Sequence, residues 1–198
     1  MTAFAHETLS RDDRYRGVIF TVHTDRVTMS GGGTASRDVV AAKGAVGVVA
    51  IDDVDRVVLI KQYRHAVGGY LWELPAGLRD VDGEDLVTGA ARELAEEADL
   101  TAGRYDLLID LHTSPGFTDE IIRLFLARDL TPVPDDERHE RTDEEADLEV
   151  SWVDLDEAVA MVFRGEITNA AAVGGLLAAA RARDEGWATL RPVESPEP

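Results

Sequence analysis

The residues best equipped for chemistry lie between positions 77 and 100, in Gly77-Leu78-Arg79-Asp80-Val81-Asp82-Gly83-Glu84 and Arg92-Glu93-Leu94-Ala95-Glu96-Glu97-Ala98-Asp99-Leu100. Helical periodicity runs from Asp85 to Ala98. At about 100° per residue, Glu93, Glu96 and Glu97 gather on one side of that helix, with Val87, Ala91, Leu94 and Ala98 opposite. Glu93 and Glu97 are like charges one turn apart, a pairing that is unfavourable in isolation and more so where water is excluded. A divalent cation reverses the sign of that cost. Carboxylate oxygens suit hard ions such as Mg2+ or Mn2+, and Mg2+ commonly completes its octahedron with water and substrate phosphates, which points to phosphate chemistry. The bland alternative is a solvated acidic helix face. The five histidines, at 6, 23, 65, 112 and 139, show no zinc-ligand spacing. With no cysteine in the chain, disulfides, thiolate metal sites and thiol nucleophiles are excluded together.

This helix must be held by a mixed α and β framework. The nearly continuous β-branched runs Ala45–Ile51 and Val57–Ile60, parted by Asp52-Asp53-Val54-Asp55, read as a buried hairpin that opens the main domain. Further strands are expected at Tyr70–Leu74, Tyr105–His112, Ile121–Ala127 and Leu148–Val153, and further helices at Leu155–Phe163 and Asn169–Arg183. Before them, Tyr15–Ala42 alternates around Gly31-Gly32-Gly33 as two or three antiparallel strands. Such a unit is marginal alone and must lean on the main domain or on a second copy of the chain. The expected organisation is therefore a β extension over 1–43 that serves a homodimer, a main domain over 44–190 and a flexible tail over 191–198. Between Pro132 and Asp147 an acidic, nearly apolar-free segment is either a disordered or a functional loop. The formal charge of −19 repels phosphate backbones, so nucleic acid is not the expected partner. No apolar run reaches a membrane span and the N-terminus lacks signal-peptide character, so the expected location is cytoplasmic, with no membrane partner.

The spacing of Gly77, Glu84, Arg92-Glu93 and Glu96-Glu97 resembles the signature of the Nudix hydrolases. There is one extra residue between Gly77 and Glu84, and Asp99 stands where the family has glycine. The flanking segments Lys61-Gln62-Tyr63-Arg64-His65, Leu71-Trp72-Glu73-Leu74-Pro75-Ala76-Gly77 and Ser114-Pro115-Gly116-Phe117-Thr118-Asp119-Glu120 resemble those of actinobacterial ADP-ribose pyrophosphatases. What the resemblance implies is an α/β/α sandwich around a mixed sheet with an N-terminal antiparallel extension. It further implies metal-dependent hydrolysis of the ADP-ribose diphosphate to AMP and ribose 5-phosphate, with Mg2+ or Mn2+. Glu93, Glu96, Glu97 and the Ala76 carbonyl would be metal ligands, and Arg92 would brace the carboxylates. For substrate the resemblance implies Arg64 on the diphosphate with Glu73 and Pro115 nearby, Phe20 on the adenine, and Arg37 reaching in from a partner subunit. Read by themselves, Arg64 is equally a surface ion pair, Phe20 is a strand core residue, Arg37 is equally a solvated side chain and Ser114-Pro115-Gly116 is an ordinary turn between two strands. For the catalytic base it implies a loop glutamate before a strand, Glu145 in preference to Glu144, against a plain solvated charge run. Rival functions are a Nudix hydrolase of a nucleotide sugar or diadenosine polyphosphate, and a non-catalytic ADP-ribose sensor.

Overall fold

The structure is a computed structural model, and it describes residues 5–141 and 147–198. Its contacts divide the chain into two compact units, one reaching to Gly44 and joined by His112–Ile121, the other comprising Ala45–Leu111 and Ile122–Pro198.

The first unit is an antiparallel meander of β1 (Thr8–Arg16), β2 (Phe20–Thr28) and β3 (Thr34–Ala42), in the order β1-β2-β3. Gly32 and Gly33 take φ of 84° and 79° in the β2–β3 turn, a region that side-chain-bearing residues seldom enter. The remote segment His112–Ile121 attaches to β3, where Val40 N–H donates to the Phe117 carbonyl at 2.8 Å and Ala42 N–H to Asp119 Oδ1 at 3.0 Å. No local pattern announces that attachment.

In the second unit, β4 (Ala45–Ala50), β7 (Ala76–Leu78), β8 (Leu100–His112) and β9 (Ile121–Pro132) form one sheet in the order β7-β4-β9-β8, with β4 and β9 parallel. A second sheet, β10-β5-β6, joins β5 (Arg56–Arg64), β6 (Gly69–Glu73) and β10 (Glu149–Asp154). The helices are α1 (Leu86–Ala98), α2 (Leu155–Phe163) and α3 (Ala170–Asp184). Both faces of β4 and β9 are apolar because each faces a helix layer. Val46, Val48, Ala50, Phe125 and Ala127 pack with Ala90 and Leu94 of α1. Val49, Leu124 and Leu126 pack with Leu155 of α2 and Leu176 of α3. This is the expected sandwich, with α1 on one side of a mixed sheet. Among the described residues no helix is long and apolar enough to cross a membrane.

Four features depart from the local sequence pattern. β1 lies almost wholly before Tyr15, where the first strands were expected to begin, β7 is a three-residue strand inside the chemical motif, β8 begins five residues before Tyr105, and the last residues are tied down. Leu107 and Arg191 exchange backbone hydrogen bonds of 2.8 and 3.0 Å. Arg123, buried in an ion pair with Asp110, donates to the Ser195 carbonyl at 2.8 Å, and Arg79 meets both Glu197 oxygens at 2.8 Å. A loose tail was the expectation for 191–198. The segment shows no apolar periodicity because polar groups hold much of it, with Val193 packed against the α1-side core.

Candidate active site

Local geometry begins at the edge strand β7. Val48 N–H donates to the Pro75 carbonyl at 2.9 Å, and Gly47 lies opposite Ala76. Antiparallel pairing alternates, so the N–H and C=O of Ala76 turn away from β4. The Ala76 N–H meets Glu97 Oε2 of α1 at 2.8 Å. One residue on, Gly77 leaves the space in which the Glu93 carboxyl lies, since a Cβ at 77 would overlap its carboxyl carbon and both oxygens. Glycine is therefore required here for close approach and not for its φ. Replacing it has a definite expected outcome: Gly77→Ala displaces the Glu93 carboxylate, lowers stability by about 1–3 kcal/mol as overpacking does, and lowers activity as well. Thermal melts and kcat/KM measured side by side check this.

α1 buries Gly89, Ala90, Glu93, Leu94, Glu97 and Ala98. Glu93 is 8% exposed and Glu97 3%, so these two carboxylates belong to the buried arc. The picture of an acidic face opposite an apolar one is corrected, and the solvated-face alternative with it. Their burial is possible because backbone and a guanidinium receive them. Arg92 Nη1 donates to Glu93 Oε1 at 2.7 Å and to Glu96 Oε2 at 3.2 Å, while its Nε and Nη2 reach Glu84 at 3.3 and 3.2 Å. Hydrogen bonding to Glu84 first, then the charge of Glu93, hold the Arg92 pKa above its ordinary value against the opposing effect of burial. Three carboxylates thus converge on one permanent cation, and Arg92 braces the cluster as its type and spacing suggest.

At the far end, Asp99 adopts φ 54°, ψ 37° and its N–H caps the Ala95 and Leu94 carbonyls. Aspartate tolerates this left-handed turn better than most residues, so its place at a glycine position keeps the helix end intact. Arg141, which the sequence reading passed over, donates from Nε to the Glu96 carbonyl at 3.1 Å and from Nη2 to the Glu97 carbonyl at 3.1 Å and Asp99 Oδ2 at 2.7 Å. A signal existed: α1 has no basic residue in its last turn, which leaves the negative end of the helix to be met from elsewhere.

Among the described residues no three acidic or histidine side chains are disposed to hold one metal ion. The conformations present bond Glu93 and Glu96 to Arg92, and Glu97 to the Ala76 N–H. In chemical kind the set nevertheless suits a hard divalent cation. It places carboxylates on successive turns of α1 beside a backbone residue turned off its ladder.

Arg64 and Glu73 come together. Arg64 Nε and Nη2 reach the two Glu73 oxygens at 3.0 and 2.7 Å, with Glu73 buried and Arg64 40% exposed. A planar fork locked from behind leaves part of the guanidinium surface open to solvent. Phe20, Arg37 and Pro115 belong to the first unit. Phe20 is 38% exposed and tilts against Tyr15 at 6.0 Å between ring centres, which overturns its reading as a core residue. Arg37 is exposed and donates to the Ser36 carbonyl at 2.9 Å, and Pro115 is exposed in its loop. Glu144 and Glu145 lie outside the described residues.

Against known proteins, the model of the NUDIX domain matches residues 42–172. An ADP-ribose pyrophosphatase of Mycobacterium tuberculosis is 46% identical over 96% of this chain and 89% of its own length. An ADP-ribose pyrophosphatase of Bacillus subtilis is 31% identical over 86% of this chain and 90% of its own. Among solved structures, one titled as an ADP compounds hydrolase superposes with a TM-score of 0.80 at 23% identity, covering 94% of this chain and 98% of that one. This last likeness establishes the fold.

Proposed function

The chain belongs to the Nudix family, and from that premise we propose that it hydrolyses the diphosphate of ADP-ribose to AMP and ribose 5-phosphate, with Mg2+ or Mn2+ as the divalent ion. The observation that carries the reaction class is the seating of Glu93 and Glu97 against the Ala76–Gly77 backbone, beside Arg92 and Glu96. The substrate rests on the names of the relatives that align over nearly the whole chain.

Glu93, Glu96, Glu97 and the Ala76 carbonyl would hold the ion. When bound, it supplies positive charge against the diphosphate and acidifies water. Arg92 keeps the carboxylates in place through its bonds to Glu84, Glu93 and Glu96. Arg64, oriented by Glu73, meets the diphosphate, and Glu145 takes the proton from the attacking water. Phe20 offers an exposed ring to the adenine, with Arg37 and Pro115 completing the substrate side. A homodimer supplies Phe20 and Arg37 from a second copy. Supporting that assembly, the first unit exposes Tyr15, Val18, Ile19 and Phe20 around one turn, more apolar surface than so small a sheet keeps uncovered to advantage. The absence of cysteine agrees with a cytoplasmic location.

The test is a panel of ADP-ribose, ADP-glucose, diadenosine polyphosphates, NADH and 8-oxo-dGTP, with Mg2+, with Mn2+ and with chelator. ADP-ribose is expected to give the highest metal-dependent kcat/KM. A higher value for another nucleotide overturns the substrate while keeping the reaction class. Tight ADP-ribose binding with no turnover of any compound supports a sensor instead.

A further inference from the structure

We infer that Arg141, paired with Asp99, is a positioning residue for the carboxylates of α1, acting on them through the backbone of the helix end. The inference rests on the reading that those carboxylates hold the divalent ion.

Helices end with unsatisfied carbonyls and a partial negative charge. α1 carries Glu96 and Glu97 in that last turn, where a carboxylate is least favoured and where no basic residue of the helix compensates. Arg141 arrives from more than forty residues later in the chain and places one guanidinium on three acceptors there: the carbonyls of Glu96 and Glu97 and the side chain of Asp99. Asp99 is bound on every side. Its N–H closes the helix, its carbonyl accepts from Val133 N–H at 2.9 Å, and its carboxylate takes Arg141 at 2.7 Å. The excursion from Val133 to Arg141 therefore leaves from Asp99 and returns to it. Asp99 and Arg141 are each 22% exposed at the side chain, so the pair is only partly screened by solvent.

The geometric consequence falls on Glu97. Its side chain is set by Ala76 N–H at one end and its main chain by Arg141 at the other. Loosening the second contact frees the last turn to unwind and carries Glu96 and Glu97 away from Ala76. A plain structural stitch would give stability alone, whereas a positioning residue also sets metal affinity. Asp99→Gly separates the two, because glycine is at least as comfortable at φ 54° yet removes the carboxylate that Arg141 holds.

The experiment uses the full chain, with Mn2+ alone as the probe followed by electron paramagnetic resonance. Melting temperature, and kcat and KM for ADP-ribose at saturating Mn2+, are measured alongside. Arg141→Gln is expected to weaken Mn2+ by about tenfold, the lower end of what residues that orient metal ligands contribute. Arg141→Lys is expected to recover part of that loss. Asp99→Gly is expected to weaken Mn2+ by a smaller factor without lowering the melting temperature. Affinities equal to wild type in Arg141→Gln and Asp99→Gly overturn the inference, as does a wild type that binds no Mn2+. If the wild type binds Mn2+ but leaves ADP-ribose intact, the substrate reading fails alone, and the affinity series still decides the role of Arg141.

Discussion

Glu97→Gln is expected to lower kcat/KM for ADP-ribose by about 10²–10³-fold, the range seen when one group that stabilises developing charge is lost, while leaving the fold intact. The amide keeps an oxygen to accept the Ala76 N–H that now meets Glu97 Oε2 at 2.8 Å, so that backbone donor stays satisfied. What disappears is one negative charge at a site 3% exposed, one turn from Glu93. Removing a like charge from a buried pair relieves repulsion. The variant's melting temperature in chelator is therefore expected to equal or exceed that of wild type. Adding Mg2+ raises the wild-type melting temperature by mass action, since the ion binds the folded state, and this rise is expected to shrink in the variant. Opposite movements of stability and activity are the signature of a residue retained for chemistry. A variant that loses activity by unfolding, or keeps it within threefold, contradicts the assignment.

Glu145→Gln is expected to lower kcat by about 10²–10⁴-fold, the usual contribution of a general base, with KM for ADP-ribose changed by no more than a few-fold. A group that acts only on the attacking water adds nothing to ground-state binding, and the kcat–KM split reports that difference. Glu144→Gln is the internal control and is expected to stay near wild type. If Glu144→Gln is the slow variant, the base is its neighbour; if neither is slow, the base lies elsewhere.

Much of this was legible in the residues themselves. α1, expected over Asp85–Ala98, runs Leu86–Ala98 with Asp85 as its N-cap, and α3 begins where Asn169 caps it through Ala172 N–H. Strong periodicity bounded by cap residues makes such elements readable. The helix faces were harder. Angular position placed Glu93 and Glu97 correctly relative to each other, but whether a carboxylate is buried depends on what meets it. Here that partner is the backbone of β7, a three-residue strand too short to leave a pattern. The start of β8 at Leu100 was hidden because Gly103 reads as a turn and because Asp99 reverses the chain in a single left-handed residue. Arg64 and Glu73 were each singled out for substrate, nine residues apart, yet in the β5–β6 register Arg64 lies opposite Gly69 and Glu73 opposite Ile60, so their mutual ion pair is visible only in the folded structure. Contacts such as Arg141 on α1 and Arg123 on Ser195 join residues far apart in the chain, and only the fold brings them together.

The most direct test of the account is product analysis of ADP-ribose incubated with wild type and Glu97→Gln, in Mg2+ and in chelator, by chromatography that resolves AMP and ribose 5-phosphate. The account predicts equal amounts of the two products from wild type with Mg2+, none in chelator, and a rate reduced by about 10²–10³-fold in the variant. Equal rates with and without metal, or an undiminished variant, would contradict the claim that the α1 carboxylates carry the reaction.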